Sequence, residues 1–329
     1  MRAFVLTHYG QDGIELQNVP APRVGEHDVL IRVKATSVNP VDTMIRDGKF
    51  KPILSRKLPM IMGNDVAGVV IEVGSQVAEF SVGDEVYARP QLNSFGTFAD
   101  EIAIHEDAVA HKPESLSMNE AAALPLVSLT AWQALTERSS VREGTKVLIH
   151  GGTGGVGSAA IQLAKALGAH VATTVSGSKA DLARELGADL IIDYRTQNFE
   201  DVVSGYDVVL DTQGGETLEK SLGVLAPGGI AISIVGPPTP DFAAELKKPV
   251  LKLPMWAMSR KMFKRAKQLG VGYEFLLMHS SGAQLEKMTE LVEAGKFKPV
   301  IGKVFPFEKT LEAIDFKADK GKVVIEVEQ

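Results

Sequence analysis

The sequence predicts an α/β protein in which a doubly wound parallel sheet is inserted into a β-rich domain. Three patterns support this: short strands between Gly and Pro fill residues 1–124, strands and helices alternate through 125–270, and strand patterns return in 279–329. A chain of 329 residues exceeds what one hydrophobic core usually serves, so two domains are expected. Regular βα alternation is typical of a parallel sheet with helices on both faces. The two ends of the chain should therefore form one discontinuous domain.

The strands of the β-rich part are short and lie between turn signals, as in a compact barrel or sandwich. The clearest alternation is Val29, Ile31 and Val33 against Leu30, Arg32 and Lys34. The predicted strands are Ala3–Leu6, Asp28–Ala35, Val66–Val73, Asp84–Ala88 and one within Phe95–Ile104, with Val300–Pro306 and Gly321–Val327 in the last part.

The βα alternation begins after a helical stretch, Ala121–Leu135, that Pro125 interrupts. Small and apolar residues recur at helical spacing after the first strand pattern. The predicted strands are Val147–His150, His170–Thr174, Leu190–Asp193, Val208–Asp211 and Ile230–Val235, and the helices between them are Ser158–Leu167, Lys179–Leu186 and Glu216–Leu222.

A glycine cluster joins the first of these strands to its helix. Gly152, Gly154 and Gly157 fit G-x-G-x-x-G, with Thr153, Gly155 and Val156 between them. In this pattern the glycines allow a tight turn, close backbone approach to a pyrophosphate and close packing of helix on strand. The helix start offers free N–H groups to phosphates. The preceding strand and following helix favour a Rossmann dinucleotide site over a plain glycine-rich turn.

The end of the second strand favours NADPH over NADH. NAD sites usually carry an acid about 20 residues past the glycines, yet no Asp or Glu stands between His170 and Lys179. Hydroxyls and a cation can hold a 2′-phosphate, which a carboxylate would repel. The candidate ligands are Ser176, Ser178, Lys179 and Tyr194, with Arg195 beside them. The alternative is that Ser178 only caps a helix and Lys179 is solvated.

Composition excludes several classes of protein. The net charge of −6 gives no pull toward nucleic acid, and the absence of cysteine removes disulfides and thiolate metal ligands. The N-terminus lacks a signal-peptide pattern, and no apolar run approaches the ~20 residues of a membrane span. We expect a cytoplasmic protein.

Two later stretches suggest partners. Lysines, arginines and apolar residues crowd Pro237–Gly270, and Arg260–Lys267 is the densest part; this indicates either a basic amphipathic helix for a membrane or acidic partner, or a solvated helical excursion. So short a cluster in an acidic chain favours the solvated interpretation. Val271–Met278 is a predicted apolar edge strand of the parallel sheet. Because such an edge must be paired or covered, a homodimer through these strands is expected.

These motifs together resemble the medium-chain dehydrogenase/reductase superfamily, in its zinc-free quinone oxidoreductase (zeta-crystallin-like) and enone reductase branch. The motifs that carry the resemblance are SVNPVD (Ser37–Asp42), GNDVAGVVIEVG (Gly63–Gly74), VGDEVYA (Val82–Ala88), GTFADEIAI (Gly96–Ile104), AAALPLVSLTAWQAL (Ala121–Leu135), the Gly144–Lys165 segment and GKVVIEV (Gly321–Val327). The resemblance implies a GroES-like catalytic domain, an inserted Rossmann domain with the active site in the cleft between the two, and NADPH-dependent reduction of quinones or enones.

The resemblance also bears on zinc, which many relatives use. Where those relatives carry Cys and a His-Glu pair, this chain offers Asn39 or Asp42 and then Asn64 and Asp65. Such a set is implausible for zinc, so no metal is expected.

Without a metal, the site must act through positioning and hydrogen bonds. The resemblance places Asn39 near the nicotinamide ribose and substrate. Asp42 could either support Asn39 or begin the following helix. Lys51 (or Lys49) could reach a substrate carbonyl, and Tyr87 with Phe95 could line an apolar pocket. Cofactor-side positions implied by the resemblance are Thr130, Val235 and Lys322. A plain turn at Asn39-Pro40 and a solvated Lys51 are the structural alternatives.

Three other functions are alternatives to an NADPH-dependent reductase. A zinc-type alcohol dehydrogenase conflicts with the missing ligands, and a methyltransferase conflicts with the GroES-like flanks. A structural or membrane-associated protein that binds the cofactor with little turnover remains open.

Overall fold

A computed structural model describes residues 1–327. The chain divides into two compact units. Unit 1 comprises Met1–Leu129 and His279–Gln329, of which Glu328 and Gln329 lie outside the described residues, and unit 2 comprises Thr130–Met278.

The first part of unit 1 is rich in strands, as predicted. Its elements are β1 (Arg2–Leu6), β2 (Ile14–Asn18), β3 (Asp28–Val38), α1 (Pro40–Arg46), β4 (Met60–Ile61), β5 (Asp65–Val73), β6 (Glu85–Ala88), β7 (Glu101–His105), β8 (Val109–His111), α2 (Met118–Ala122) and α3 (Pro125–Trp132). The division after Leu129 falls inside α3, which a π-helical turn, Gln133–Glu137, continues.

Unit 2 alternates strands and helices. Its elements are β9 (Lys146–His150), α4 (Gly155–Ala166), β10 (His170–Val175), α5 (Ala180–Glu185), β11 (Leu190–Asp193), α6 (Phe199–Val202), β12 (Tyr206–Asp211), α7 (Gly215–Ser221), β13 (Leu225–Ser233), α8 (Pro240–Glu245), α9 (Lys252–Leu269) and β14 (Gly272–Phe275). The chain then returns to unit 1 with α10 (Gly282–Glu293), β15 (Ile301–Pro306), α11 (Thr310–Asp315) and β16 (Lys322–Glu326).

Unit 2 contains the predicted parallel sheet. Its order is β11-β10-β9-β12-β13-β14, and every neighbouring pair is parallel. This is the doubly wound order in which ligands bind beyond the carboxyl ends of the strands where the order reverses, here at β9. One buried side chain from each strand enters the same core cluster: Leu148, Ala172, Ile192, Val209, Ala231 and Tyr273.

Unit 1 is built around β3. A seven-stranded sheet runs β15-β16-β3-β5-β6-β8, with β7 also paired to β3, and a second sheet runs β2-β1-β4. β3 was predicted to end at Ala35 but continues to Val38, because Ala35–Val38 pairs with the C-terminal strand β16 and its first three residues also pair with β5. The final strand of the chain therefore completes the sheet begun by the first part.

Three element bounds differ from the sequence prediction at positions that matter for function. Helix α4 begins at Gly155, inside the glycine motif, rather than at Ser158. Strand β13 ends at Ser233, whose Oγ accepts the backbone N–H groups of Val235 at 3.3 Å and Gly236 at 2.8 Å in a turn, so Val235 lies beyond the strand. β14 covers only Gly272–Phe275 of the predicted 271–278. Among residues 1–327, no helix combines the length and apolar character needed to cross a membrane.

Candidate cofactor and active site

The glycine loop follows β9 directly, and its geometry requires glycine at two positions. A Cβ on Gly152 would lie well within 3.0 Å of Thr173 Oγ1, and one on Gly157 would collide with the carbonyl oxygen of Gly151. Gly151 itself has a positive φ of 68°. Because these glycines let the chain turn tightly under the start of α4, the loop has the shape that the dinucleotide motif predicts.

The start of α4 supplies the anion-binding groups of this loop. Gly154 is the N-cap of α4, and no side chain forms a capping hydrogen bond to the first turn. The helix that follows has 12 residues. Gly154 is exposed and Thr153 is buried. The free N–H groups and the positive end of the helix dipole are therefore available to a pyrophosphate.

His150, the last residue of β9, lies directly before the glycine loop and connects it to neighbouring elements. Its Nδ1 lies 3.0 Å from Thr174 Oγ1 and its Nε2 lies 2.9 Å from Ser221 Oγ, so it connects β9, β10 and α7. Its ring meets Phe199 edge-on at 4.7 Å between centroids. Burial lowers the pKa of His150 to about 4. These contacts are those of a packing residue.

The loop after β10 holds the predicted 2′-phosphate ligands. Ser176 is buried with its Oγ 3.2 Å from Ser178 Oγ, and the backbone N–H of Lys179 donates to the Ser176 carbonyl at 2.8 Å. Tyr194, after β11, is exposed. The structure thus brings Ser176, Ser178 and Lys179 into one short turn.

An acidic residue that the sequence analysis missed lies beside this turn. A Cβ on Gly177 would stand 2.5 Å from Asp193 Oδ2. The register of β10 and β11 causes this, because Val175 lies opposite Asp193 at the carboxyl ends of the two strands. The second strand by itself contains no acid, but parallel neighbours bring their carboxyl ends to the same edge of the sheet, so the third strand supplies one. Asp193 therefore contributes negative charge next to the predicted 2′-phosphate site.

The loop after β12 borders the glycine loop. A Cβ on Gly151 would lie 2.9 Å from both Thr212 Oγ1 and Gln213 Nε2. Asp211 fixes this loop by accepting the N–H of Gly214 and, at 2.6 Å, the hydroxyl of Ser233.

The other two cofactor-side positions of unit 2 differ in exposure. Val235 is half-exposed, and its Cγ2 would lie 3.3 Å from a Cβ on Gly214. Thr130 is buried in α3.

Unit 1 contains a buried cluster of charged and amide side chains, here called the buried charge cluster: Asn39, Asp42, Asn64, Asp65, Arg89 and Lys322. Its centre is Asp65. The Oδ2 atom of Asp65 accepts from Ser37 Oγ at 2.7 Å, from Asn39 Nδ2 at 2.8 Å and from Lys322 Nζ at 3.3 Å. Its Oδ1 accepts the backbone N–H of Leu126 at 2.8 Å.

Asn39 has its amide fully engaged inside this cluster. Its Nδ2 donates to Asp65, and its Oδ1 accepts from Lys322, whose ammonium also donates to Val38 O at 2.8 Å. Asn39 is also the N-cap of α1, and its backbone N–H donates to Asp42 Oδ2 at 2.7 Å. Asp42 thus contacts Asn39 at the start of α1, and the contact of Asn39 with Lys322 was not predicted from the sequence.

Burial changes the protonation equilibria of the cluster. It raises the pKa of Asp42 to about 7, lowers the pKa of Arg89 to about 10 and lowers that of Lys322. Asn64 links the two ends: its Nδ2 donates to Asp42 Oδ1 at 2.8 Å and its Oδ1 accepts from Arg89 at 3.5 Å. Arg89 was not singled out from the sequence. The sequence offered one signal for Arg89, namely a charged residue directly after Tyr87 and Ala88, which the structure shows to be buried.

The donor set of this cluster does not fit zinc. Asp65 and Asp42 already accept several hydrogen bonds, and two cations, Lys322 and Arg89, lie among them. Within residues 1–327, no group of three or more His, Cys, Asp or Glu side chains could hold a metal ion. The cations would repel Zn²⁺, and nitrogen or sulfur ligands are missing, so no step is assigned to a metal here.

Two predicted catalytic residues lie apart from the buried charge cluster. The Tyr87 hydroxyl donates to Leu285 O at 2.6 Å and lies 3.0 Å from Thr289 Oγ1, and burial raises its pKa. This arrangement favours a packing role for Tyr87 against α10. Lys51 is exposed, with its ammonium 3.9 Å from the centroid of the Tyr9 ring.

A cavity of about 600 Å³ in unit 2 contains none of these residues. It is lined in part by Glu200, Glu219, Lys220 and Lys261. Lys220 pairs with Glu200 at 2.8 Å and Lys261 with Glu219 at 2.5 Å. Because the acidic and basic side chains that line this cavity pair with one another, it offers no anion-binding site comparable to the glycine loop.

Comparison with known proteins agrees with this geometry. Residues 25–114 match the family described as alcohol dehydrogenase GroES-like domain, and residues 186–325 match zinc-binding dehydrogenase. A 2-methylene-furan-3-one reductase of Solanum lycopersicum is 39% identical over 340 residues, covering 99% of this chain and 79% of the relative. A chloroplastic NADPH-dependent alkenal/one oxidoreductase of Arabidopsis thaliana is 37% identical with the same coverage.

Solved structures support the same relationship. The quinone oxidoreductase from Coxiella burnetii superposes with a TM-score of 0.84 at 30% identity, covering 100% of this chain and 99% of the other. A doubly wound sheet inserted in a GroES-like domain defines the class: the chain is a medium-chain dehydrogenase/reductase. More particularly, it belongs to the zinc-free quinone oxidoreductase branch of that superfamily.

Proposed function

We propose that this protein is a zinc-independent oxidoreductase that uses NADPH to reduce quinones or the C=C bond of α,β-unsaturated carbonyls. The observation that carries the proposal is the glycine loop, where Gly152 and Gly157 admit no Cβ and the N-terminus of α4 is free to bind an anion. Relatives named for reduction of a furanone, an alkenal and a quinone support the substrate class.

The preference for NADPH rests on the turn after β10. When bound, NADPH supplies the hydride. The backbone of the glycine loop would bind the pyrophosphate, and Ser176, Ser178 and Lys179 would bind the 2′-phosphate. Asp193 opposes this preference electrostatically, so Lys179 must outweigh it. The preference is therefore expected to be graded rather than absolute.

The buried charge cluster would act by positioning. Because Lys322 and Asp65 occupy both ends of the Asn39 amide, Asn39 could contact a substrate carbonyl only by exchanging one of these bonds. We therefore assign Asn39 to fixing the chain before α1, and expect Lys322 to hold that arrangement from β16. Charge that develops on the carbonyl oxygen needs a nearby donor, and Lys51 remains the prediction for that role. Thr130 remains a predicted cofactor-side position.

The test is anaerobic oxidation of NADPH and NADH against a panel of quinones and enones, with and without a chelator. The expected result is turnover with NADPH that the chelator leaves unchanged. Absence of turnover with every acceptor would contradict the enzyme proposal and favour a cofactor-binding structural protein. Loss of activity with the chelator would contradict zinc independence.

We also propose a homodimer through β14. It is the outer strand of the parallel sheet, and within residues 1–327 it pairs only with β13. An outer strand left open invites pairing with another chain. Light scattering coupled to size-exclusion chromatography tests this, and a monomer at micromolar concentration would refute it. A cytoplasmic location stays a prediction, since one relative carries a chloroplastic name.

A further inference from the structure

The segment around α9 has an unusual charge pattern. Eight lysines and arginines lie between Leu246 and Gly270, with no Asp or Glu, in a chain whose net charge is −6: Lys247, Lys248, Lys252, Arg260, Lys261, Lys264, Arg265 and Lys267. The sequence pattern alone favoured a solvated helical excursion. The structure shows a helix of 18 residues that is packed on one side and exposes its lysines and arginines on the other.

The packed side of α9 is well defined. Met255, Ser259, Met262 and Ala266 are buried, and Met262 and Ala266 belong to the core cluster of unit 2. Their spacing of three or four residues places them on one stripe of the helix. Gly270, with a φ of 69°, ends the helix in the left-handed conformation typical of a C-terminal glycine. The helix orientation on the sheet is therefore fixed, and so is the face that it turns outward.

The outward face is divided along its length. Leu253, Trp256, Arg260, Lys264 and Lys267 recur every three or four residues on the side opposite the packed stripe. Leu253 and Trp256, at the N-terminal end, are 73% and 51% exposed, and the neighbouring Val250 and Met258 are 79% and 59% exposed. The apolar end of the face is thus continuous with a cationic end.

The cationic side chains of this face do not form salt bridges with neighbouring side chains that the structure describes. Lys261 pairs with Glu219 at 2.5 Å, on the flank of the helix. Arg260, Lys264 and Lys267 form no salt bridge with any side chain that the structure describes. Exposed apolar groups beside unpaired cations are the pattern of a helix that lies in a membrane interface.

We propose that the outward face of α9 binds the surface of a membrane that contains anionic phospholipids. Leu253 and Trp256, with Val250, enter the headgroup region, where the indole of tryptophan is favoured, and Arg260, Lys264 and Lys267 contact the lipid phosphates. A membrane suits this face better than an acidic protein, because the apolar side chains form one end of the face instead of a pocket for a defined partner residue. The proposal does not depend on the oxidoreductase activity.

The test is sedimentation of the full-length protein with vesicles of phosphatidylcholine alone and of phosphatidylcholine mixed with phosphatidylserine. Binding is expected only to the anionic vesicles and should weaken at high salt. A variant that combines Arg260→Gln, Lys264→Gln and Lys267→Gln should bind on the order of a hundredfold more weakly, since each cation at an anionic surface strengthens binding by about fivefold.

The matched control is Lys296→Gln, Lys317→Gln and Lys320→Gln, three exposed lysines of unit 1 that change the net charge equally. This control should bind as the wild type does. A second variant, Leu253→Ser with Trp256→Ser, tests the apolar end: it should bind more weakly at high salt, where the apolar contribution dominates.

Tryptophan emission gives an independent measurement. The chain has two tryptophans, so the difference between the wild type and Trp256→Phe isolates Trp256. Its emission should shift to the blue with anionic vesicles. Equal loss of binding in the cation variant and its control would overturn the proposal, as would an unshifted Trp256 emission. Binding to polyglutamate without binding to vesicles would overturn it in favour of an acidic protein partner.

Discussion

The pH dependence of stability should report on His150. Ser221 Oγ donates to Thr217 O at 2.7 Å, so it can accept from His150 Nε2, and Thr174 Oγ1 then donates to Nδ1. The neutral ring with its proton on Nε2 therefore satisfies every group, whereas a second proton on Nδ1 would take away the acceptor of the Thr174 hydroxyl. Asp211 and Glu200 raise the pKa, but burial outweighs them and lowers it to about 4.

The sign and size follow from this shift. Between pH 6.5 and 4 the unfolded chain binds a proton at His150 that the folded chain does not, so stability falls as the pH is lowered through this range. The pKa of His150 is 6.5 in the unfolded chain and about 4 in the folded chain, which corresponds to about 3 kcal/mol of unfolding free energy. About 2 kcal/mol of this stability is lost by about pH 5. Above pH 6.5 the effect should be absent.

Urea unfolding at a series of pH values measures this contribution. Carboxylates also titrate in the acid range, so the informative quantity is the difference in free energy of unfolding between the wild type and His150→Gln. That variant should be less stable at neutral pH but lose less on acidification. His8→Gln, at an exposed histidine, should keep the wild-type slope. Equal slopes in the wild type and His150→Gln would refute the reasoning.

Three further predictions concern the site. Gly157→Ala should lower the melting temperature because its Cβ meets the Gly151 carbonyl, whereas Gly154→Ala, whose Cβ finds nothing closer than 3.4 Å, should keep the melting temperature but weaken NADPH binding measured by fluorescence titration. Asp65→Asn should destabilise the fold by about 3–5 kcal/mol in urea, since it leaves the buried Lys322 ammonium without a carboxylate; a loss below about 1 kcal/mol would contradict this. Lys179→Ala should raise the Michaelis constant for NADPH far more than that for NADH. Asp193→Asn should lower the Michaelis constant for NADPH, because it removes a negative charge beside the 2′-phosphate. Equal changes for both cofactors would mean that the 2′-phosphate does not bind there.

The parallel sheet and the glycine loop were predictable because they depend on local signals. Strand, glycine spacing and helix follow one another within Val147–Lys165, and the structure reproduces them, although α4 starts at Gly155. The absence of zinc ligands was predictable for the same reason, since it is read from residue types alone.

The contacts that shape the sites come from distant parts of the chain. Asp193 reaches Gly177 only through the register of two parallel strands, and Lys322 reaches Asn39 across 283 positions. Arg89 enters the buried charge cluster through Asn64. A pattern along the sequence shows that such residues are polar or charged, but which of them meet is decided by strand pairing. The exposure of Leu253 and Trp256 likewise depends on which side of α9 packs on the sheet.

The pairing of β16 with β3 has a consequence for synthesis on the ribosome. Unit 2 is continuous in sequence, so its strands can all pair once residue 278 has left the exit tunnel. Unit 1 must wait, because β3 lacks its neighbour β16 until Lys322–Glu326 has been made. Until then Asp65 has no Lys322 to neutralise it. The nascent chain therefore carries an open sheet edge and an uncompensated carboxylate until β16 has emerged, and its N-terminal part depends on that late strand for completion.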